Sequence, residues 1–304
     1  MIRSTAPGKV ILSGEHAVVY GQPAIVAAVQ LRTTTIIGEG NDVLLPNYPD
    51  DLIKTIVKLT LKNLSIKTQA LKVKSATNLP IGSGLGSSAS LAASTIGGIV
   101  NYFGQSRSKE EINKLTYEIE KLSHGNPSGV DNTAVVYGGL LRFERGMNGN
   151  NNIIQNLEVK KILKKIWLID SGKPDETTGE MVQMVKEKYN DNKKLGEVFE
   201  KIGGICIQLQ KDLEDDHFTP EWITENERLL EQLSIVGNKA QSIIDQIEMI
   251  GGHAKVCGAG GVRSGSGVIL AYHQDDLKFE EWLINKKYAY FQDHLGGPGW
   301  QIEK

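Results

Sequence analysis

The chain has 304 residues, of which 40% are hydrophobic, and its formal net charge at pH 7 is −2. This length accommodates one large domain or two moderate ones, and the apolar fraction suffices for a substantial core. Because the charge is close to balanced, the chain has no basic field of the kind that attracts a polyanion, so we expect no nucleic-acid partner.

The two cysteines, Cys206 and Cys257, are too few for a disulfide framework or a four-cysteine zinc site. We expect both to be reduced thiols of a cytoplasmic protein. The sequence has no signal-peptide pattern and no apolar run near the ~18 residues that span a bilayer, so we expect no membrane partner.

The first third of the chain is predicted to contain strands, one helix and an intervening loop. β-Branched and apolar runs predict strands at 8–12 and 24–37, with a loop from Gly14 to Gly21 between them. Apolar residues at helical spacing predict an amphipathic helix over 50–64. Alternation at 71–74 predicts a strand that leads into a glycine-rich segment.

That segment reads NLPIGSGLGSSA at residues 78–89 and is the most informative part of the sequence. Glycine allows sharp turns and close approach of the backbone to a ligand. Small and apolar residues then recur at helical spacing, so the segment opens a helix, whose N-terminus favours anions. We expect a phosphate to lie there, beside Ser87 and Ser88; the alternative is a plain connection between a strand and a helix.

The following region is predicted to contain a helix that begins after Ser108, with Glu111 completing a capping box. The predicted buried stripe of this helix comprises Ile112, Leu115, Ile119 and Leu122, and the helix is predicted to end at 124–125. Glu120 lies beside that stripe. We expect a strand and a turn over 130–143.

The second half begins after a polar turn at 147–152, which is the best candidate for a domain junction. We expect strands at 166–169, 253–257 and 267–271, and helices at 176–190, 193–213, 220–232 and 236–249. Strands and helices do not alternate strictly, so the predicted fold class is α+β.

Three motifs resemble those of the GHMP kinases, the family named for galactokinase, homoserine kinase, mevalonate kinase and phosphomevalonate kinase. They are the segment at 78–89, PGKVILSGEHAVVYG at 7–21, and KVCGAGG at 255–261. The first of these in chain order, together with HGNPSGVDN at 124–132, looks most like the mevalonate kinases. The motifs extend from residue 7 to residue 261, so the resemblance covers nearly the whole chain.

The resemblance implies a two-domain fold, with an N-terminal domain over 1–155 like the second domain of ribosomal protein S5. A ferredoxin-like domain over 156–304 completes it. It also implies ATP-dependent phosphorylation of mevalonate on its 5-hydroxyl in isoprenoid biosynthesis, with Mg²⁺ as cofactor. Mevalonate and ATP are then the partners, and a homodimer is left open. The alternatives are another small-molecule GHMP kinase, for phosphomevalonate or a sugar, and a nucleotide-binding regulatory protein without catalysis.

The resemblance also implies roles for individual residues. Asp131 takes the proton of the substrate hydroxyl, and Lys9 lies close to it. Glu15, His16 and Thr178 hold the substrate, and Ser88 and Glu120 bind magnesium. The ATP-binding residues are Pro80, Gly82, Ser83, Gly84, Leu85, Gly86, Ser87, Ser88, Ala89, Gly258, Ala259 and Gly260.

Some residues have other interpretations. Asp131 has the alternative of a surface or capping residue, and Lys9 that of an edge residue of its strand. Glu120 has the alternative of a solvated helix residue, with Glu118 as the ligand instead. Two segments also depart from the mevalonate kinase pattern. Residues 176–178 read Glu-Thr-Thr where Arg-Ser-Thr is common, and Arg263 extends the third motif in a role that the sequence leaves open.

Overall fold

The computed structural model describes residues 1–40, 43–44, 50–67, 70–125, 127–146, 151–159 and 166–303. Its first sheet contains seven strands, with β11, β1, β2, β4 and β3 in that order, β5 beside β2, and β6 beside β5. The pairs are antiparallel except β3 with β4. These strands are β1 (Ile2–Ser13), β2 (Ala24–Glu39), β3 (Val43–Leu44), β4 (Leu71–Thr77), β5 (Leu140–Glu144), β6 (Ile153–Asn156) and β11 (Gln301–Glu303).

Four helices accompany the first sheet. They are α1 (Asp50–Asn63), α2 (Ser87–Tyr102), α3 (Lys109–His124) and α4 (Val130–Tyr137). Helix α2 is the central one, because its small residues allow it to pack on β1 and β2 while α1, α3 and α4 pack around it. An indole at Trp300 lies where a side chain at Gly97 would be, so this position of α2 requires glycine.

The second sheet has four antiparallel strands in the order β10, β7, β9, β8. Its strands are β7 (Ile166–Asp170), β8 (His253–Val256), β9 (Val268–Tyr272) and β10 (Tyr290–Asp293). Helices α5 (Thr178–Asp191), α6 (Leu195–Glu214), α7 (Glu221–Gln232) and α8 (Asn238–Met249) connect β7 to β8, and α9 (Asp276–Lys286) connects β9 to β10. This order of strands is that of a ferredoxin-like sheet, which confirms the predicted α+β fold.

Side chains alternate along β7, so one face of this strand contributes to the core between the two sheets. Trp167 and Ile169 face α8 and α9, whereas Ile166 and Leu168 face the other way. On that second side they share a buried cluster with Val10 and with other residues of β1 and β2. The two sheets are therefore packed through one apolar core, and the loops at its edge form the site described below.

The predicted elements agree with the structure for most of the chain, with two corrections. The segment predicted as a strand and turn over 130–143 begins with helix α4, and only its end belongs to β5. Leu122, predicted to be buried, has an exposed fraction of 64%, whereas Ile112 and Ile119 are buried. The prediction missed β3, β6, α9, β10 and β11, and a short 3₁₀ helix at Ala17–Tyr20 interrupts the predicted loop.

The proposed domain junction at 147–152 lies partly outside the described residues. The division after residue 155 stays a prediction: it separates most of the first sheet from the second, while β11 at the C-terminal end pairs with β1. Among the described residues, no helix combines the length and apolar character that crossing a bilayer requires.

Candidate active site

The glycine-rich segment forms a tight loop that leads directly into α2. Gly82, Gly84 and Gly86 all have positive φ angles, of 75°, 86° and 71°, which side chains with a Cβ rarely adopt. The loop rests on β1, where the Lys9 N–H donates to the Leu85 carbonyl at 2.9 Å. A Cβ at Gly86 would lie 2.9 Å from Cγ of Lys9, so glycine there lets the lysine stem pass beneath the loop.

The third motif packs against this loop. A Cβ at Gly84 would lie 2.8 Å from the Cys257 carbonyl oxygen, and one at Gly258 would lie 3.4 Å from Cα of Gly84. The Val268 N–H also donates to the Ser83 carbonyl at 2.9 Å. The glycine-rich segments predicted to bind ATP therefore form one continuous surface, although they come from different halves of the chain.

Lys9 and Asp131 form an ion pair beside this surface, with 3.1 Å between Lys9 Nζ and Asp131 Oδ1. Lys9 is buried, with 2% of its surface exposed, so it is not a solvated edge residue. Asp131 lies in the first turn of α4, and its side chain retains 36% exposure. The carboxylate is thus oriented by a buried cation while it stays open to a ligand.

Ser88 and Glu120 form a second polar pair, in which the Ser88 hydroxyl donates to Glu120 Oε1 at 2.8 Å. Burial raises the pKa of Glu120 to about 7, and the negative charge of Asp131 adds to the effect. The alternative of a solvated glutamate is therefore wrong, since only 3% of Glu120 is exposed. Glu118 instead pairs with Lys121 at 2.6 Å on the exposed face of α3.

Glu15 of the first motif is held from the second half of the chain. Its carboxylate forms a fully buried ion pair with Lys255 of β8, and Asn226 of α7 donates to it at 3.4 Å. Lys255 also donates to the Ile11 carbonyl at 3.1 Å. Since Glu15 is so completely engaged, its carboxylate fixes the loop rather than presenting a free group to a ligand.

His16, the next residue, presents an unused hydrogen-bonding atom. Its φ angle is +57°, and its Nε2 lies 3.1 Å from the Ala259 carbonyl oxygen. Because a carbonyl only accepts, Nε2 carries the hydrogen and Nδ1 is an acceptor. Burial lowers the pKa of His16, which favours this neutral form. Nδ1 is buried and has no hydrogen-bond partner in the described part of the chain.

These residues border two cavities, which we name A and B. Cavity A, of about 320 Å³, is lined by residues that include Lys9, Glu15, His16, Asn132, Gln183 and Lys186. Cavity B is lined by residues that include Gly82, Ser83, Gly86, Ser87, Ser88 and Lys173. The two cavities meet at five shared residues: Gly84, Glu120, Asp131, Thr178 and Ala259.

The remaining predicted site residues fall into two groups. Thr178, the first residue of α5, lines both cavities, and Gly260 lines cavity B. Pro80, Leu85 and Ala89 line neither cavity. Leu85 and Ala89 are fully buried in the core, so they anchor the glycine-rich loop and the start of α2 instead of facing a ligand.

The structure also answers the question left open for Arg263. Its Nε lies 2.8 Å from Glu176 Oε1, and it lines neither cavity. The Glu-Thr-Thr segment that departs from the mevalonate kinase pattern is thus tied to the extended third motif.

Sequence reasoning missed four residues of the site: Asn132, Lys173, Lys186 and Lys255. Lys255 carried a signal, because a lysine within an apolar strand implies a buried partner. Lys173 and Lys186 carried none, since isolated lysines in a loop or a helix are usually solvated. Asn132 is 3% exposed, and its Oδ1 has no hydrogen-bond partner among the described residues.

Comparisons with known proteins identify the family of the chain. Residues 51–139 match the family model of the GHMP kinases N terminal domain. The chain is 30% identical to the mevalonate kinase of Pyrococcus furiosus, over 85% of this chain and 86% of that protein. It is 31% identical to the mevalonate kinase of Methanocaldococcus jannaschii, over 92% of this chain and 95% of that protein.

A solved structure extends the comparison to the fold. The L. major mevalonate kinase in complex with R-mevalonate superposes with a TM-score of 0.83, at 24% identity, covering 98% of this chain and 96% of that one. The sequence comparisons, the fold and the three motifs all indicate the same family. The chain therefore belongs to the mevalonate kinase family of the GHMP kinases, enzymes that use ATP as co-substrate.

Proposed function

We propose that this enzyme transfers the γ-phosphoryl group of ATP to the 5-hydroxyl of mevalonate, giving 5-phosphomevalonate and ADP for isoprenoid biosynthesis. One observation carries the proposal: Asp131, paired with Lys9 at 3.1 Å, lies where cavities A and B meet. A substrate hydroxyl in cavity A and a phosphate in cavity B would both reach the same carboxylate.

In this account Asp131 is the general base. It accepts the proton of the 5-hydroxyl while that oxygen forms its bond to the γ-phosphorus, and the bond from the phosphorus to the ADP oxygen breaks. Lys9 stabilises the negative charge that builds on the transferring group and on the attacking oxygen. Because Lys9 is buried, its charge acts with little screening by solvent.

The ATP phosphates occupy cavity B in this proposal. The N-terminus of the 16-residue helix α2 and the backbone N–H groups of the loop at 82–88 suit a bound anion. Ala259 and Gly260 of the third motif also line this cavity, whereas Gly258 lines cavity A. Lys173 adds a cation to cavity B, since its side chain lies across Gly82, with Cε 3.1 Å from the position of a Cβ.

The proposed magnesium ligands are Ser88 and Glu120. Mg²⁺ takes oxygen ligands and typically receives one or two from the protein, with the rest from phosphates and water. The residues fit this requirement, because a buried carboxylate at 2.8 Å from a hydroxyl borders the phosphate cavity. Bound there, the cation would neutralise charge on the phosphates.

His16 and Thr178 are the proposed contacts to mevalonate in cavity A. The free Nδ1 of His16 suits a substrate hydroxyl as donor, and this buried acceptor otherwise remains unsatisfied. Glu15 contributes by holding the loop, through its ion pair with Lys255. Cavity A is lined by two lysines, of which Lys9 is paired with Asp131, so it offers little free positive charge for a phosphorylated substrate, which counts against a phosphomevalonate kinase.

An assay of ADP release tests the proposed substrate. The purified enzyme is given ATP and magnesium with mevalonate, phosphomevalonate, galactose or no second substrate. We expect rapid turnover with mevalonate alone, and a His16→Ala variant with a KM for mevalonate raised about 10-fold. Equal turnover without a second substrate, or a preference for phosphomevalonate or galactose, would contradict the proposal.

Two further proposals, a cytoplasmic location and a homodimer, do not concern the chemistry. A cytoplasmic location is consistent with Cys206 and Cys257, both of which are unpaired and buried. Light scattering of the purified chain tests whether it forms a homodimer.

A further inference from the structure

Lys186 lies on the face of α5 that borders cavity A. The lining residues of this helix are Thr178, Gly179, Val182, Gln183 and Lys186, at spacings that place them on one side of a helix. Eight residues separate Thr178 from Lys186, which corresponds to about 12 Å along the axis. Lys186 therefore borders the end of the cavity away from the junction with cavity B.

The charges around cavity A leave Lys186 uncommitted. Lys9, the other lysine of this cavity, is paired with Asp131, and Glu15 is paired with Lys255. No carboxylate among the described residues forms an ion pair with Lys186. Of the two lysines that line cavity A, Lys186 is thus the one whose ammonium stays available to an anionic ligand.

A negatively charged substrate group has few other places to bind in the cavity. Glu120 and Asp131 repel it from the junction with cavity B, where the transferred phosphoryl group also needs room. A long helical side chain points back toward the N-terminus of its helix, which directs the ammonium of Lys186 over Val182 and into the cavity mouth.

We infer that Lys186 binds the carboxylate of the substrate and so sets which end of the molecule faces Asp131. This inference rests on the proposed function, because it needs a substrate that carries a carboxylate at one end and a hydroxyl at the other. The lysine is a binding residue that selects for the carboxylate; it takes no part in the phosphoryl transfer.

The experiment pairs a variant of the lysine with a variant of the substrate. The enzyme forms are wild type, Lys186→Met, Lys186→Arg, and the control Lys188→Met on the same helix, whose side chain lines neither cavity. The substrates are mevalonate and 3-methylpentane-1,3,5-triol, in which a hydroxymethyl group replaces the carboxylate. The triol is measured as a substrate or as a competitive inhibitor.

We expect Lys186→Met to lower kcat/KM for mevalonate by roughly 10- to 100-fold, mainly through KM, because it removes a charge-assisted hydrogen bond. The same variant leaves the constants for the triol and the KM for ATP unchanged. Lys186→Arg keeps most of the activity, and Lys188→Met matches wild type with both compounds.

Two results would overturn the inference. An equal loss for mevalonate and the triol would mean that Lys186 supports the helix rather than binding the carboxylate. An unchanged KM for mevalonate in Lys186→Met would place the carboxylate elsewhere, for example at the N-terminus of α5. Failure of the wild-type enzyme to turn over mevalonate at all would instead overturn the proposed function, and the two failures are therefore distinguishable.

Discussion

The ammonium of Lys9, on β1, lies 3.1 Å from the carboxylate of Asp131, on α4. Both elements pack against α2, whose first residues follow the glycine-rich loop. The same helix thus fixes the distance between a buried cation, a half-exposed carboxylate and its own N-terminus, which is the proposed phosphate site. Phosphoryl transfer depends mainly on such positioning, so this arrangement accounts for how the chain meets the demands of the reaction.

Replacing Asp131 by Asn removes the proposed base while keeping the size of the side chain. We expect kcat to fall by roughly 10²–10⁴-fold, the usual contribution of general base catalysis, with ATP affinity unchanged. A coupled assay gives kcat, and titration calorimetry gives the affinity. Asp191→Asn, at the far end of α5, is the control. A kcat near that of wild type would show that another group takes the proton.

Ser88→Ala and Glu120→Gln each weaken a proposed magnesium ligand. We expect both variants to need more magnesium for half-maximal activity, because an oxygen ligand is lost or loses its charge. The matched control is Glu118→Gln, which changes an exposed carboxylate on the same helix. If Glu118→Gln shifted the magnesium titration and Glu120→Gln did not, the assignment of the ligand would be wrong.

Gly84→Ala tests the contact between the two glycine-rich loops. The new methyl group would meet the Cys257 carbonyl at 2.8 Å, and the φ angle of +86° adds strain. We expect a loss of about 1–3 kcal/mol in the free energy of unfolding and a raised KM for ATP. Gly104→Ala has a φ angle of +66° but open space around it, so it reports the strain alone. Urea unfolding distinguishes the two; equal losses would mean that the loops do not need this close contact.

The buried carboxyl of Glu227 contributes to the free energy of unfolding, and this contribution declines as the pH rises. Burial raises the pKa of this carboxyl from 4.5 to about 8, and its Oε2 accepts from the Val256 N–H at 2.8 Å. Between those two pH values the unfolded chain releases the proton while the folded chain keeps it. The contribution is therefore complete below about pH 4.5 and lost by about pH 8, with a total of up to about 5 kcal/mol.

Glu227→Gln removes this titration and keeps an acceptor for Val256. We expect the free energy of unfolding of the variant, measured by denaturant titration from pH 5 to pH 8, to fall less steeply than that of wild type. Glu225→Gln, exposed on the same helix, should follow wild type. Parallel curves for Glu227→Gln and wild type would contradict the buried, protonated carboxyl.

The sequence predicted local structure where a motif combined several unusual residues. Three glycines before a run of small residues predicted a tight loop that opens a helix, and the positive φ angles of Gly82, Gly84 and Gly86 before α2 confirm it. The capping box at Ser108 likewise predicted the start of α3, where the Glu111 N–H donates to the serine hydroxyl. The predicted buried stripe of α3 was less reliable, because Leu122 follows the helical spacing but lies where the helix meets solvent.

The features that the sequence did not predict depend on contacts between distant segments. Val130–Tyr137 contains a β-branched run and was predicted as a strand, yet burial against α2 and α3 stabilises it as a helix. Lys255 and Glu15 form an ion pair across 240 positions of sequence, and no local pattern identifies Glu15 as the partner of the buried lysine. Lys186 resembles any solvated lysine until the fold places its helix beside cavity A.

The identity of the phosphorylated product shows which hydroxyl of mevalonate the enzyme places beside Asp131. ATP and mevalonate labelled with ¹³C are incubated with the enzyme, and the product is examined by ³¹P and ¹³C NMR. We predict a phosphate on the primary 5-oxygen, with phosphorus coupling to C5, because Asp131 lies at the end of cavity A that meets cavity B, the proposed ATP site. A phosphate on the tertiary 3-oxygen, or no product from mevalonate beside rapid turnover of phosphomevalonate or a sugar, would contradict it.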